Sequence, residues 1–375
     1  MLFSQIPGLE DTKRTLISSV RNSHIAHAQL FQGREGSANL GLALAYATYI
    51  NCEQKGEHDS CGECSSCHKF NKLIHPDLHF VFPVSTTKEV SKDALSISFM
   101  KHWRSIVTQN PYLSLSNWGD TIGSENKQLN ISVDESRNIL KSLVLKSFEA
   151  EYKILILWLP EMMNASSANA ILKVLEEPPF KTIFLLVSNN SDKIITTILS
   201  RTQFVKIRSF TDEEIKKDLI GKYSLDEKRA GQLAYLAEGN MNEAVRLKDE
   251  IQEDNHQLFR DWMRTCYKRN NLTEMVGWSE SFQKIGRESQ KHLLQYGLNT
   301  IRETFLYRHT GTDILRMQED ELKFVEGFSK VLDDAKIEGI SKQLNEAYYH
   351  IERNANAKIL FMDLSLNISS LMKNG

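Results

Sequence analysis

Residues 152–207 read YKILILWLPEMMNASSANAILKVLEEPPFKTIFLLVSNNSDKIITTILSRTQFVKI, and the order of elements in this stretch decides the fold. Ile154 to Leu159 is an unbroken apolar run, the signature of a parallel strand covered on both faces. Asn164 can cap the helix that follows, in which Ala168, Ile171, Leu172 and Leu175 recur at i, i+3, i+4 and i+7 on one stripe. Pro178 and Pro179 stop that helix because proline has no N–H to continue it. Thr182 to Ser188 reads as a second buried strand. Ser200 and Arg201 then fall where a short helix gives way to a third strand. Strand alternating with helix in this way predicts an α/β core with a parallel sheet.

Toward the N-terminus, Gly8 to Ser23 has the spacing of an amphipathic helix. His27 to Gly33 (HAQLFQG) is an apolar strand ending on glycine, followed by GREGSANL over 33–40 and a helix running to about Asn51. Strand, glycine loop and helix are the setting of a phosphate-binding loop. A working loop of that kind also needs a lysine for the β and γ phosphates and a Ser or Thr for Mg²⁺. Asn39 and Leu40 occupy those two positions, and Ala38 replaces the closing glycine. The loop Gly33, Gly36, Asn39 is therefore expected to keep a shape without its chemistry, and no nucleotide is expected there. A glycine turn of unrelated origin is the alternative for this segment taken alone.

Four of the five cysteines, Cys52, Cys61, Cys64 and Cys67, are spaced C-x8-C-x2-C-x2-C; Cys266 stands apart. Overlapping C-x2-C steps on tight turns suit a closed tetrahedral thiolate site, so structural Zn²⁺ is expected. A disulfide pair and an iron–sulfur cluster are the alternatives; His58 and His68 read as solvated. Residues 75–83 (HPDLHFVFP) form a turn into a strand. Residues 86–128 read as an insertion, with a helix over about 92–108 and a polar loop over 119–128. Its Trp103, Tyr112 and Trp118 suit packing on the core better than stacking on bases. Asp134 is expected to cap a helix carrying Ile139, Leu140 and Leu143.

After Ile207 the pattern turns helical. Three helices over 209–250 form a small domain, and 251–375 an all-helical one. A chain of 375 residues with a net charge of −2 carries no global basic field toward nucleic acid. Without a signal-like start or an apolar run of membrane length, a cytoplasmic protein with no membrane contact is expected.

The segments HAQLFQG, the four-cysteine knuckle, HPDLH (75–79), ISVDESR (131–137), SANAILKVLEEPP (167–179) and TILSRTQ (197–203) together resemble the clamp-loader branch of the AAA+ family. The resemblance covers most of residues 1–210. It implies a RecA-like AAA+ domain over 1–208 with the knuckle at 52–67, a helical lid over 209–250 and a helical collar over 251–375. In active members, two carboxylates that hold Mg²⁺ follow the strand at 154–157; Trp158 and Leu159 stand there, and Glu161, lying later, is expected to cap a turn. Asn242 stands where an active member places a nucleotide-sensing arginine. The resemblance thus implies a non-hydrolysing subunit. Arg201 matches the arginine that the family presents to a neighbour's γ-phosphate, an effect on the order of 10³ or more in rate; Thr202 replaces the cysteine beside it. The alternative for Arg201 is an ion pair within its own domain.

The partners so implied are clamp-loader ATPase subunits that bind the ATP, a clamp-opening subunit, the sliding clamp and primer–template DNA within the complex. Two other readings compete. One is an active gamma/tau-type ATPase binding nucleotide through Ser37 and backbone amides. The other is a zinc-ribbon nucleic-acid-binding regulator resting on the knuckle and the insertion aromatics.

Overall fold

The computed structural model describes residues 1–124, 127–144, 146–250, 255–268, 272–311, 319–353 and 355–373. Parts of the expected polar loop (125–126) and of the expected helical region (251–254, 269–271, 312–318, 354, 374–375) lie outside the described residues. The chain forms two compact units. One comprises Met1–Tyr223 with Gly239–Glu243, the other Ser224–Glu238 with Ala244–Gly375.

The first unit is built on a five-stranded parallel sheet of β1 (Ala28–Gln32), β2 (Leu78–Val81), β3 (Lys153–Trp158), β4 (Thr182–Ser188) and β5 (Gln203–Lys206), in the order β2-β3-β4-β1-β5. This is a parallel-sheet α/β core, as the strand–helix alternation predicted. Every residue of β3 and β4 is buried, as the unbroken apolar runs required, whereas β5 is mostly exposed along one edge. The helices in chain order are α1 (Glu10–Arg21), α2 (Asn39–Ile50), α3 (Ser65–Asn71), α4 (Met100–Gln109), α5 (Leu115–Thr121), α6 (Val133–Val144), α7 (Ala165–Glu176), α8 (Thr196–Leu199) and α9 (Asp212–Tyr223). Helix α2 is buried all round, consistent with its apolar sequence. Asn164 caps α7 by accepting from Ser167 N at 2.8 Å, and α7 ends two residues before Pro178.

Three local expectations need correction. The insertion helix starts at Met100 rather than about 92, preceded by a short 3-10 turn over Ser96–Phe99. Ser96 is held back from the helix because its hydroxyl exchanges hydrogen bonds with Phe82 N and O, both at 3.1 Å. The polar loop expected over 119–128 begins inside α5, which runs to Thr121 and is started by a reciprocal cap between Ser114 and Asn117. Helix α6 is capped by Ser132, whose hydroxyl accepts from Glu135 N at 3.2 Å; Asp134 lies inside the first turn and pairs with Arg137. The insertion therefore covers the β2 edge, helped by an antiparallel bridge between Val84 and Asn130.

The described part of the second unit is helical: α10 (Glu227–Ala237), the end of α11 (Met241–Glu250), α12 (Asn255–Tyr267), α13 (Leu272–Lys284), α14 (Arg287–Thr310), α15 (Glu319–Ser329), α16 (Asp334–Glu352) and α17 (Ala357–Lys373). Trp262 joins α12 to α17 through Nε1–H donated to Ser365 Oγ at 2.9 Å. His256, Tyr296 and Glu321 form a buried polar chain across α12, α14 and α15, with both links at 2.9 Å.

Candidate functional site

The glycine loop lies at the C-terminal end of β1, between that strand and the start of α2, where an α/β sheet places its ligand crevice. Its space is filled by the chain itself. Asn39, at the first position of α2 and 3% exposed, turns its amide back into the loop. The amide donates to Gly33 O at 3.0 Å, to Ser188 O at 3.2 Å and to Asn189 Oδ1 at 3.2 Å. It thereby ties the loop to the end of β4.

From the other side comes the segment Gly239–Glu243. Met241 N donates to Gly36 O at 3.0 Å, and Asn240 lies so close that a Cβ on Gly36 would stand 1.7 Å from its Oδ1. Gly36 has φ +76°, so glycine is required there twice over, by backbone and by space. Asn242, at the position expected for a sensing arginine, accepts from Asn110 Nδ2 of the insertion at 2.7 Å. The role of Asn240 escaped the sequence reading. The asparagines bracketing Met241 in GNMN were its only trace.

The end of β3 is equally filled. Trp158 is 2% exposed and its ring centroid lies 5.2 Å from that of Trp103, which stacks on Phe82 at 4.2 Å and meets Trp118 edge-on at 5.2 Å. Trp118 Nε1–H donates to Pro83 O at 2.7 Å. Trp103, Tyr112 and Trp118 are thus interior residues that fasten the insertion, and their burial removes the base-stacking support for the regulator reading. Leu159 is buried in a left-handed conformation, φ +57°. Glu161 does cap a turn, its Oε1 accepting from Asn189 N at 2.9 Å and Asn190 N at 3.2 Å. Burial pushes its carboxyl above the usual range.

Arg201 sits between α8 and β5, at the N-terminal edge of the sheet, with its side chain 31% exposed. Its guanidinium pairs with Glu176 at the end of α7 and donates to Thr197 O at 2.7 Å. In the chain by itself, Arg201 therefore has an ion pair within its own unit. Such a half-exposed pair is worth about 0–1 kcal/mol, so exchanging it for another anion costs little.

The four cysteines converge as their spacing predicts. All four sulfurs lie within 4.8 Å of one another; Cys52 to Cys61 is 3.6 Å and Cys61 to Cys67 is 3.9 Å, and all are free thiols. A tetrahedron with Zn–S of about 2.3 Å has edges of roughly 3.8 Å, so the donor set fits Zn²⁺. Backbone N–H groups of Cys61, Cys64 and Cys67 point at Cys52, Cys61 and Cys64 sulfurs at 3.3–3.4 Å. The N–H of Cys64 is the main cause that draws the Cys61 thiol down to about 7, while burial pushes Cys67 up. His58 and His68 are exposed and outside this group.

The knuckle is braced at two points that sequence reasoning missed. The Asp59 carboxylate accepts from Phe3 N at 3.0 Å and Ser4 N at 2.8 Å. Asn51 exchanges hydrogen bonds with Tyr152 at the start of β3, at 2.7 and 3.1 Å. Next to them, Asp77 of HPDLH receives the N–H groups of Phe148, Glu149 and Ala150 at 2.6–2.9 Å.

The model of the family described as "DNA polymerase III, delta subunit" matches residues 8–211. The chain belongs to that family. Within it, the resemblance in the sequence points to the delta-prime subunit. The Bacillus subtilis DNA polymerase III subunit delta' is 26% identical over 250 residues, 66% of this chain and 62% of that protein. The Bacillus subtilis subunit tau is 25% identical over 253 residues, 66% of this chain and 37% of that protein. The chain thus spans less than two thirds of the length of these relatives. Among solved structures, a gamma subunit-related protein of Thermotoga maritima aligns over 97% of this chain and 100% of that one, at 15% identity and a TM-score of 0.37. No described helix is long and apolar enough to cross a membrane.

Proposed function

We propose that this chain is a clamp-loader subunit of a DNA polymerase III that does not hydrolyse ATP, working in the cytoplasm beside subunits that do. The observation that carries the reading is the phosphate loop. Asn39 from inside and Asn240 from the 239–243 segment occupy it with bonded side chains. Trp158 fills the place where metal-holding carboxylates stand in active members. Both sets of residues argue against the active gamma/tau-type reading.

In this role Arg201 acts outward. It leaves Glu176 and meets the γ-phosphate of ATP held by the next ATPase subunit, neutralising charge that develops during phosphoryl transfer. Residues 209–250 serve as the lid and 251–375 as the collar that joins the ring. Alongside the ATPase subunits, the partners are a clamp-opening subunit and the sliding clamp, with primer–template DNA engaged by the assembly. Cys52, Cys61, Cys64 and Cys67 hold a structural Zn²⁺, which supplies cross-linking and no reaction step.

The test is reconstitution with the ATPase and clamp-opening subunits. Arg201→Ala is expected to assemble normally and to lower clamp-stimulated ATP turnover by about 10³-fold. Undiminished turnover sinks the finger role. Steady turnover by the purified chain alone sinks the non-hydrolysing one.

A further inference from the structure

Phe180 is 91% exposed, the most exposed of the large apolar side chains described. It does not hang on a slack loop. Pro178 and Pro179 fix the backbone before it, and Thr182 N donates to Pro179 O at 3.1 Å, closing a tight turn around it. Lys181, the next residue, is left-handed at φ +53° without being glycine. Its Nζ is fixed at 3.0 Å from Glu151 and lies 5.7 Å from the centroids of both the Tyr152 and Phe180 rings. A strained, well-braced turn that holds a phenylalanine out into water costs this chain free energy and returns it no packing.

The place of the turn says what it faces. All five strands are parallel, so β4 and β5 begin at the same edge of the sheet. Phe180 precedes β4 by two residues and Arg201 precedes β5 by two. Glu176, the partner of Arg201, is four residues before Phe180, which places their Cα atoms within about 14 Å. Phe204, 49% exposed, lies three residues beyond Arg201 on the open strand. An exposed aromatic and an exchangeable guanidinium thus share one rim.

We propose that Phe180 is a preformed anchor that inserts into an apolar socket on the neighbouring ATP-holding subunit and sets the depth to which Arg201 reaches. This rests on the reading that Arg201 acts on a neighbour's nucleotide. Aromatic side chains seated in pockets carry a large share of interface affinity, and holding one in place beforehand removes its ordering cost.

The experiment uses the full chain and the ATPase subunit of its complex, with association measured by sedimentation and turnover titrated against this chain. Phe180→Ala is expected to weaken association about 10- to 100-fold and to raise the half-saturating concentration equally. Its melting temperature should be unchanged, since Phe180 buries almost nothing here. Phe180→Leu should recover part of the loss. Arg201→Ala should instead lower the turnover plateau with little change in association. Association of Phe180→Ala within about twofold of the parent overturns the anchor, even if Arg201→Ala fails in turnover. A weakened Phe180→Ala beside an unaffected Arg201→Ala keeps the anchor and removes the finger. No association of the parent chain overturns both.

Discussion

Replacing Asn39 by alanine separates a structural plug from a ligand-handling loop. The amide serves Gly33 O, Ser188 O and Asn189 Oδ1, and the two carbonyls are buried with it. Gly33 O is left without its donor at a cost of about 1–3 kcal/mol, while Ser188 O keeps the N–H of Gly33 at 3.3 Å and the loop stays tied to β4 by that bond. About 1–3 kcal/mol of the first unit's stability is expected to disappear, a large fraction of a typical total. With a urea slope of roughly 2–3 kcal/mol/M, the midpoint of that unit's transition should fall by about 1 M. Asn39→Asp should be worse, because a carboxylate would face three acceptors with nothing to donate. Nucleotide affinity should be equally absent in parent and variant by calorimetry. A midpoint shift below about 0.2 M, or a parent that binds ATP through this loop, refutes the reasoning.

Trp158→Asp, a nominal step back toward an acidic motif, should fail to give a folded first unit, since it opens a cavity in an aromatic cluster and buries a charge; near-native circular dichroism would contradict this. Glu161→Gln should be at least as stable as the parent at pH 7, because a carboxyl whose folded pKa is raised loses stability as pH climbs above about 4.3, whereas Glu161→Ala strands the Asn189 N–H, Asn190 N keeping Ser188 Oγ at 3.0 Å, and should lose about 1–3 kcal/mol in urea titrations. At Asp77 the sign reverses. Burial raises its carboxyl, but the N–H groups of Ala150, Glu149 and Phe148 outweigh it and the folded pKa ends below 3.8. Its stabilisation is therefore full above about pH 4 and lost as pH falls below, and Asp77→Ala should lose about 2–3 kcal/mol at pH 7 and a smaller difference by pH 3. Chelation or Cys61→Ser should free the knuckle and, through Asp59, speed amide exchange at Phe3 and Ser4; one equivalent of Zn²⁺ per chain in tag-free protein is the companion measurement.

The alternation of strand and helix, the turn at Pro178 and the cysteine cluster were legible because each rests on local chemistry: apolar runs, a missing N–H, ligand spacing. What the sequence concealed depends on residues far apart in the chain. Asn240 meets Gly36 some two hundred positions away, and nothing in either neighbourhood announces the other. Ser132 rather than Asp134 caps α6 because both are good caps and only the chain's path into the helix chooses. The helix α5 hid behind polar residues whose role is capping. That Trp158 replaces an acid was visible. That Trp103, Phe82 and Trp118 have closed around it was not, since packing is a property of pairs.

The cluster around Trp158 also bears on history. Substituting an acid there strands a void, and substituting a lysine at Asn39 takes the amide away from Gly33 O in a loop whose Gly36 is already met by Asn240. Each reversal alone is harmful. On the proposed reading of a subunit that does not hydrolyse ATP, recovering an ATPase would need several substitutions at once. The loss so proposed would work as a ratchet, leaving the rim and the surface of such a chain far freer to diversify than its centre.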